Sequence, residues 1–496
     1  MSELFKQLRP ILERNAAYHA ALSLFSWDNE TLAPENAIEL TSHIIGTLSM
    51  ESYSLLVNDN VKSLLEQLSK ADDLTESETA IVRILTKQQE DIWKIPPEEY
   101  REYNELSAIA SSIWAKAKEE NNFLSFVPSL KKIISFQKKF ASYRKKEGQS
   151  LYNVLLNDYE EGITTQFLDQ FFDKLHTHLV PLIQRIGQKP QMEHAYNSFH
   201  YPKEKQETFC RFLAEHIGFD FSRGVMAQSA HPFTDSLHNH DVRITNHYYE
   251  DSLESAIFSV IHEGGHAIYE MNISDDLTLT PATMVSMGVH ESQSRFFENM
   301  LGRQIEFWKP IFPHLKETYP EQLVNVTLDT FYHGINLSQP SFIRTEADEL
   351  TYPLHVMVRY ELEKQLIDGN LSVEELPEVW NQKFKEYFGI IPPDAANGVL
   401  QDVHWANGAF GYFPSYVLGS AMAAQIYSYM EKHLPVKELL ETGDLTPIRE
   451  FLAKHIHQYG AMRPMNRLLN DMMGEGLNVD YYIQYLTEKY SKLYSL

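Results

Sequence analysis

The chemistry this chain can do centres on two histidines one helical turn apart. In His262-Glu263-Gly264-Gly265-His266 the i, i+4 spacing puts both imidazoles on one face of a helix. From there both can reach a single divalent ion at about 2.0–2.1 Å. Glu263 is offset by one residue and points to the side, where it can hold a water beside the ion without ligating the ion itself. A catalytic zinc takes three protein ligands and keeps one position open. Downstream, His290-Glu291-Ser292-Gln293-Ser294-Arg295 reads as part of a second helix. A glutamate from such a helix is the usual third ligand beside two histidines, which makes Glu291 the choice and His290 its competitor. Consecutive side chains on a helix diverge by about 100°, so the two do not share one ion. Carboxylates near the histidines, Glu270 among them, suit partners that fix the imidazole tautomers. The chemistry implied is hydrolysis of a polarised carbonyl, with Glu263 as general base.

The elements that must hold these groups are mostly helical. Leu253, Ile257, Val260 and Ile261 give the histidine helix a buried face, with Asp251 as the expected N-cap and Glu254 as its capping-box partner. Each glycine inside that helix costs roughly 1 kcal/mol relative to alanine, which calls for the close approach of another backbone. Thr280-Pro281 is the expected start of the Glu291 helix. Other helices are marked by Leu4, Leu8, Ile11 and Leu12, by the Thr75/Glu78 capping box, by Pro96-Pro97, and by an apolar stripe over residues 123–147. One stretch breaks the pattern: residues 241–249, Asp241 to Tyr249, alternate and are rich in β-branched and aromatic residues, so they read as a strand. It is either an edge that pairs with an extended peptide or a short structural strand. With no linker, repeat or low-complexity tract, residues 1–496 read as a single domain.

Bulk properties narrow the function classes. The 496 residues are 43% hydrophobic, ample for a large core, and the formal net charge is −25. Such a polyanion is repelled by phosphate backbones, which argues against a nucleic-acid partner. A lone cysteine, Cys210, excludes a disulfide framework and a cysteine-rich zinc site, and its amphipathic surroundings read as a buried structural thiol. No apolar run matches a signal peptide or a membrane span, so a cytoplasmic enzyme is expected.

Six ordered motifs between residues 231 and 405 resemble the carboxypeptidase Taq family of zinc metallocarboxypeptidases. They are His231-Pro232-Phe233; Asp241-x-Arg243-x-Thr245; His262-Glu263-x-x-His266; His290-Glu291-Ser292-Gln293; Ile343-Arg344-x-x-Ala347-Asp348; and Gly398-x-x-Gln401-Asp402-x-His404-Trp405. The resemblance implies a mainly α fold with a long deep substrate groove and a small β-sheet. The helical N-terminal half would form the groove wall, and residues 231–416 would carry the active site. It implies release of single C-terminal residues from peptides with broad tolerance, zinc or cobalt as the metal, and a homodimer. His262, His266 and Glu291 carry over as ligands and Glu263 as base.

A carboxypeptidase must also grip a free carboxylate, which a guanidinium fork does well. Arg344 is the first choice, unless it is tied up in an ion pair with Glu346 or Asp348, and Arg243 is the reserve. The segment from His404 to Tyr416 is similar to that of helical zinc dipeptidases, which implies His404 and Tyr412 as donors to the oxyanion, with Tyr416 as a further candidate. Gly408 and Gly411 would let this segment close over substrate. His231 is expected to shape the groove, and Trp27 to serve the core first. The rival readings are a zinc oligopeptidase or dipeptidase cutting internal bonds, and a non-catalytic helical interaction protein.

Overall fold

The computed structural model describes residues 2–283 and 286–496. Among them are 20 α-helices and one three-stranded sheet, the mainly α architecture expected. A continuous buried cluster runs from Phe5 in the first helix to Tyr494 near the last. No helix of the described residues is long and apolar enough to cross a membrane.

Several sequence signals become structure where they were expected. Leu8 and Leu12 are buried in the helix Phe5–Thr31. Thr75 Oγ1 accepts from Glu78 N and Glu78 Oε2 accepts from Thr75 N, completing the capping box. Pro97 opens the helix Pro97–Glu119, and residues 123–147 hold the helix Phe123–Arg144. Cys210 is buried in the helix Lys203–Ile217 and donates to the Ala256 carbonyl. Burial pushes its thiol well above the usual range, so it is inert.

The sheet departs from expectation. β1 (Gly224–Gln228) runs parallel to β3 (Asp241–Asn246), and β2 (Thr234–His238) runs antiparallel to it. The order β1-β3-β2 makes β3 the centre of the sheet, not an edge. β3 also stops at Asn246, short of residue 249. The strands beside it escape a pattern search because Gly-Val-Met-Ala-Gln and Thr-Asp-Ser-Leu-His lack an apolar alternation.

Both helix starts near the histidines also differ. The histidine helix spans Leu253–Met271 with Ser252 as N-cap and no side-chain cap bond from it. Asp251 is exposed. The Glu254 amide is instead capped by Asn197 Oδ1 at 2.8 Å. The Glu254 carboxylate accepts from Tyr196 Oη at 2.7 Å and pairs with His194 Nε2 at 2.8 Å. A remote segment has taken over the local capping box. Thr280-Pro281 opens only a 3-10 turn, Pro281–Thr283. The Glu291 helix begins later, at Met287, where Ser286 Oγ accepts from Val289 N.

This difference is testable. Asn197→Ala should cost about 1 kcal/mol, the usual loss for a side-chain helix cap. Asp251→Ala should change little. Thermal unfolding midpoints of the two variants check this, with a fall expected only for Asn197→Ala.

Candidate metal centre and substrate groove

The ligand geometry depends on how closely two helices cross. A Cβ on Gly265 would lie 2.8 Å from both the Gln293 carbonyl oxygen and Ser294 Cα, and one on Gly264 would lie 2.4 Å from Ile217 Cδ1. Gly265 thus permits the backbone approach that the sequence called for, while Gly264 makes room for the Ile217 side chain. On the other side of the Glu291 helix, a Cβ on Gly419 would meet Glu291 Cβ at 2.7 Å. Glu291 is clamped between the helix Leu253–Met271 and the helix Pro414–Met430.

The result is one group of converging donors. Glu291 Oε2 lies 3.7 Å from His262 Nε2 and 3.6 Å from His266 Nε2, and all three ligand atoms lie within 4.8 Å of one another. Two ligands each about 2.1 Å from one tetrahedral ion stand about 3.4 Å apart, so the set fits a single divalent ion with little adjustment. The fit extends outward. His262 Nδ1 pairs with Glu298 Oε2 at 2.8 Å, and His266 Nδ1 faces His290. Both Nε2 atoms are therefore turned inward, toward Glu291. Arg295 Nε donates to Glu291 Oε1 at 2.7 Å, leaving Oε2 for the ion. His290, the competing ligand, lies behind His266 and not beside its Nε2.

This group opens onto a cavity of about 1120 Å³, lined by Pro232 and Phe233, by β2 residues Thr234 to Ser236, by His262, Glu263 and His266, and by Tyr412 and Tyr416. Glu263 is held from the strand side: Thr234 Oγ1 lies 2.6 Å from Glu263 Oε2. Burial pushes the Glu263 carboxyl up, against the pull of His262 and Thr234.

Comparison with known proteins fits this geometry. The family model described as carboxypeptidase Taq (M32) metallopeptidase matches residues 7–490. Carboxypeptidase 1 of Bacillus subtilis is 42% identical over 99% of both chains. Thermostable carboxypeptidase 1 of Thermus thermophilus is 35% identical over 97% of both. The crystal structure of the M32 carboxypeptidase from Deinococcus radiodurans superposes with a TM-score of 0.97 over 100% of both chains, at 32% identity.

The chain belongs to the carboxypeptidase Taq (M32) family. It is a metallocarboxypeptidase, a hydrolase acting on peptide bonds.

In this carboxypeptidase the remaining expected residues fall into two sets. Tyr412 and Tyr416 line the cavity. His404 sits behind them with its ring on Phe413. Its Nε2 meets Tyr416 Oη at 3.1 Å, so Tyr416, not Tyr412, is its hydrogen-bond partner. Tyr412 packs edge-on against Tyr159. Burial lowers the His404 pKa to about 4 against the pull of Asp402, with Arg344 and Arg359 adding to the fall. The imidazole is neutral near pH 7.

The other set does not line the cavity. Arg344 is only 6% exposed. It pairs with Asp402, not with Glu346 or Asp348, through Nε and Nη2 at 3.1 and 2.8 Å, and donates to Tyr352 Oη. Its guanidinium lies 4.8 Å from the centre of the Tyr416 ring, and so reaches the groove only through that ring. Arg243 is tied bidentately to Asp241. His231 is exposed, and its carbonyl accepts from Ser229 Oγ. Trp27 is buried against Phe233. Gly408 and Gly411 have φ of 72° and 89°, and both sit in close packing. A Cβ on Gly411 would lie 2.9 Å from the Leu155 backbone, and the Gly411 amide donates to buried Glu363.

Sequence reasoning missed Arg295, Glu298 and Thr234. For the first two a signal existed. Glu291, Arg295 and Glu298 follow helical spacing on one face. Residues Phe296–Leu301 are wound as a π-helix, a common feature of functional sites. Burial opposes ionisation of Glu298, but Arg295 and the His262 bond outweigh it and hold its carboxyl well below the usual range.

Gly265→Ala should force the two helices apart and weaken divalent-metal affinity at least about tenfold, as lost support of metal ligands typically does. Competition with a chromophoric chelator checks this. Gly46→Ala, where an added Cβ meets nothing within 4 Å, should leave the affinity unchanged.

Proposed function

We propose that this enzyme is a zinc carboxypeptidase, with cobalt able to substitute, that releases single C-terminal residues of many kinds from peptides. The reading rests on one observation: three converging ligand atoms with Glu263 beside them, open to the groove. A divalent ion held by His262, His266 and Glu291 would polarise the scissile carbonyl and make a neighbouring water more acidic. Glu263 takes the proton of the attacking water and returns it to the leaving amine. Thr234 aims that carboxylate by donating to it.

The peptide lies along β2. Phe233 O accepts from Thr245 N, so the antiparallel alternation turns the Thr234 amide and carbonyl to the open side, where an extended substrate can pair. His404 Nε2 lies 3.1 Å from Tyr416 Oη; in the tautomer that carries its hydrogen on Nε2 it leaves the Tyr416 hydroxyl, together with Tyr412, to donate to the oxyanion. Asp402 neutralises only one of Arg344 and Arg359. The other positive charge stays buried behind Tyr416, and this supports Arg344 as the group whose charge draws the terminal carboxylate to the groove wall, without direct contact. The whole chain acts as one catalytic domain, in the cytoplasm and as a homodimer.

Two measurements test the reading. Glu263→Gln should keep its metal and lose about 10²–10⁴ in kcat, the usual weight of a general base. A variant that stays active removes Glu263 from that role. A blocked dipeptide with a free carboxylate should be cleaved at least about tenfold faster than its C-terminal amide, since a charge-assisted contact is lost. Equal rates would favour an endopeptidase.

A further inference from the structure

The two histidine ligands are supported in different ways, and the difference assigns a role to a residue that lies outside the ligand set. His262 leans directly on a carboxylate, with Nδ1 at 2.8 Å from Glu298 Oε2. His266 has no carboxylate at its Nδ1. That atom faces Nδ1 of His290 at 2.5 Å, and Nε2 of His290 faces Glu270 Oε1 at 2.7 Å. Glu270 is anchored in turn by Ser236 Oγ of β2 at 3.2 Å.

With Glu270 ionised and both imidazoles neutral, these contacts allow one arrangement of protons. A carboxylate only accepts, so the hydrogen between His290 and Glu270 sits on His290 Nε2. A neutral imidazole carries one N–H, so His290 Nδ1 presents a lone pair. Two facing nitrogens share one hydrogen, so His266 Nδ1 must carry it. His266 Nε2, which points toward Glu291 Oε2, is then left with a lone pair. Each link thus follows from the one before, starting at Glu270.

Geometry explains why a second imidazole is interposed. Glu270 stands one turn beyond His266 on the same helix, and His290 comes from the neighbouring helix to bridge the two. The close crossing at Gly265 lets the neighbouring helix approach far enough for that. The bridging ring is itself fixed edge-on to Tyr269, whose side chain is fully buried.

We propose that His290 is a positioning residue that sets the tautomer and ring angle of His266 as a metal ligand, with Glu270 setting those of His290. This rests on His262, His266 and Glu291 binding the ion. It adds that ion affinity depends on two residues that never touch the ion.

The test uses the full-length enzyme, the metal-free melting midpoint, and zinc affinity by competition with a chromophoric chelator. His290→Phe keeps a ring but cannot accept from His266, and its zinc Kd should rise about 10–100-fold, the usual weight of such outer support. Glu270→Leu should raise it comparably. His290→Gln, whose amide oxygen can accept, should recover part of the loss. The metal-free melting midpoints should stay near that of the parent, and KM at saturating zinc should change less than the metal affinity. A zinc Kd within twofold of the parent in His290→Phe and Glu270→Leu overturns the relay. If either variant fails to fold, Glu270→Gln decides, since loss of the anionic acceptor should still weaken binding measurably, and unchanged binding there overturns the relay too. A parent enzyme that binds no zinc would instead overturn the metal-centre reading on which the relay stands.

Discussion

The backbone of Gly265 lies against those of Gln293 and Ser294, and the geometry of the centre follows from that contact. Helices that meet through side chains pack with axes about 8–10 Å apart. Removing the Cβ at the crossing lets them come closer. Glu291 then comes level with two imidazoles presented by the other helix, and His290 slots in behind one of them. The cost of two glycines in a buried helix is offset by packing against Ile217 and the second helix. Gly419 repeats the device on the far side, where the helix Pro414–Met430 seats Glu291. Three helices are thus fixed relative to one another at the positions where ligand placement must be accurate.

Placing charges in such a tight junction carries a large desolvation penalty unless each has a partner. The structure meets that demand with alternating charges. Arg295 bridges Glu291 and Glu298, and Arg303 also approaches Glu298. A second alternating set, Arg344–Asp402–Arg359, lies behind the tyrosines at the groove wall. The two sets differ in balance. The first leaves a carboxylate oxygen facing the ligand nitrogens, which suits a cation. The second sets two guanidiniums against one carboxylate behind the groove tyrosines, a balance that would suit an anion. An enzyme that hydrolyses the bond next to a terminal carboxylate needs both within one peptide's reach.

Much of the centre was legible in the sequence because its information is local. The spacing of His262 and His266, the offset of Glu263, and the glycine pair that demanded a backbone neighbour all follow from one helix. Glu291 needed only a second helix. What escaped depends on contacts between distant segments. Arg344 was expected to grip the substrate carboxylate unless Glu346 or Asp348 close by held it, and the structure pairs it with Asp402. The capping of Glu254 passed to Asn197, and the open strand proved to be β2, whose mixed composition hides it. Glu298 followed helical spacing from Arg295, but a π-helical stretch carries it to His262. Tyr416 and Tyr412 are one turn apart on the same segment, and only packing against His404 and Tyr159 distinguishes their surroundings.

The central claim is that three side chains share one ion. Anomalous diffraction at the zinc edge from crystals of the zinc-loaded enzyme tests it most directly. The account predicts a single strong peak at about 2.0–2.2 Å from His262 Nε2, His266 Nε2 and Glu291 Oε2, with an open side toward the groove. A peak ligated by other residues, or none between these three in a zinc-saturated crystal, would contradict it.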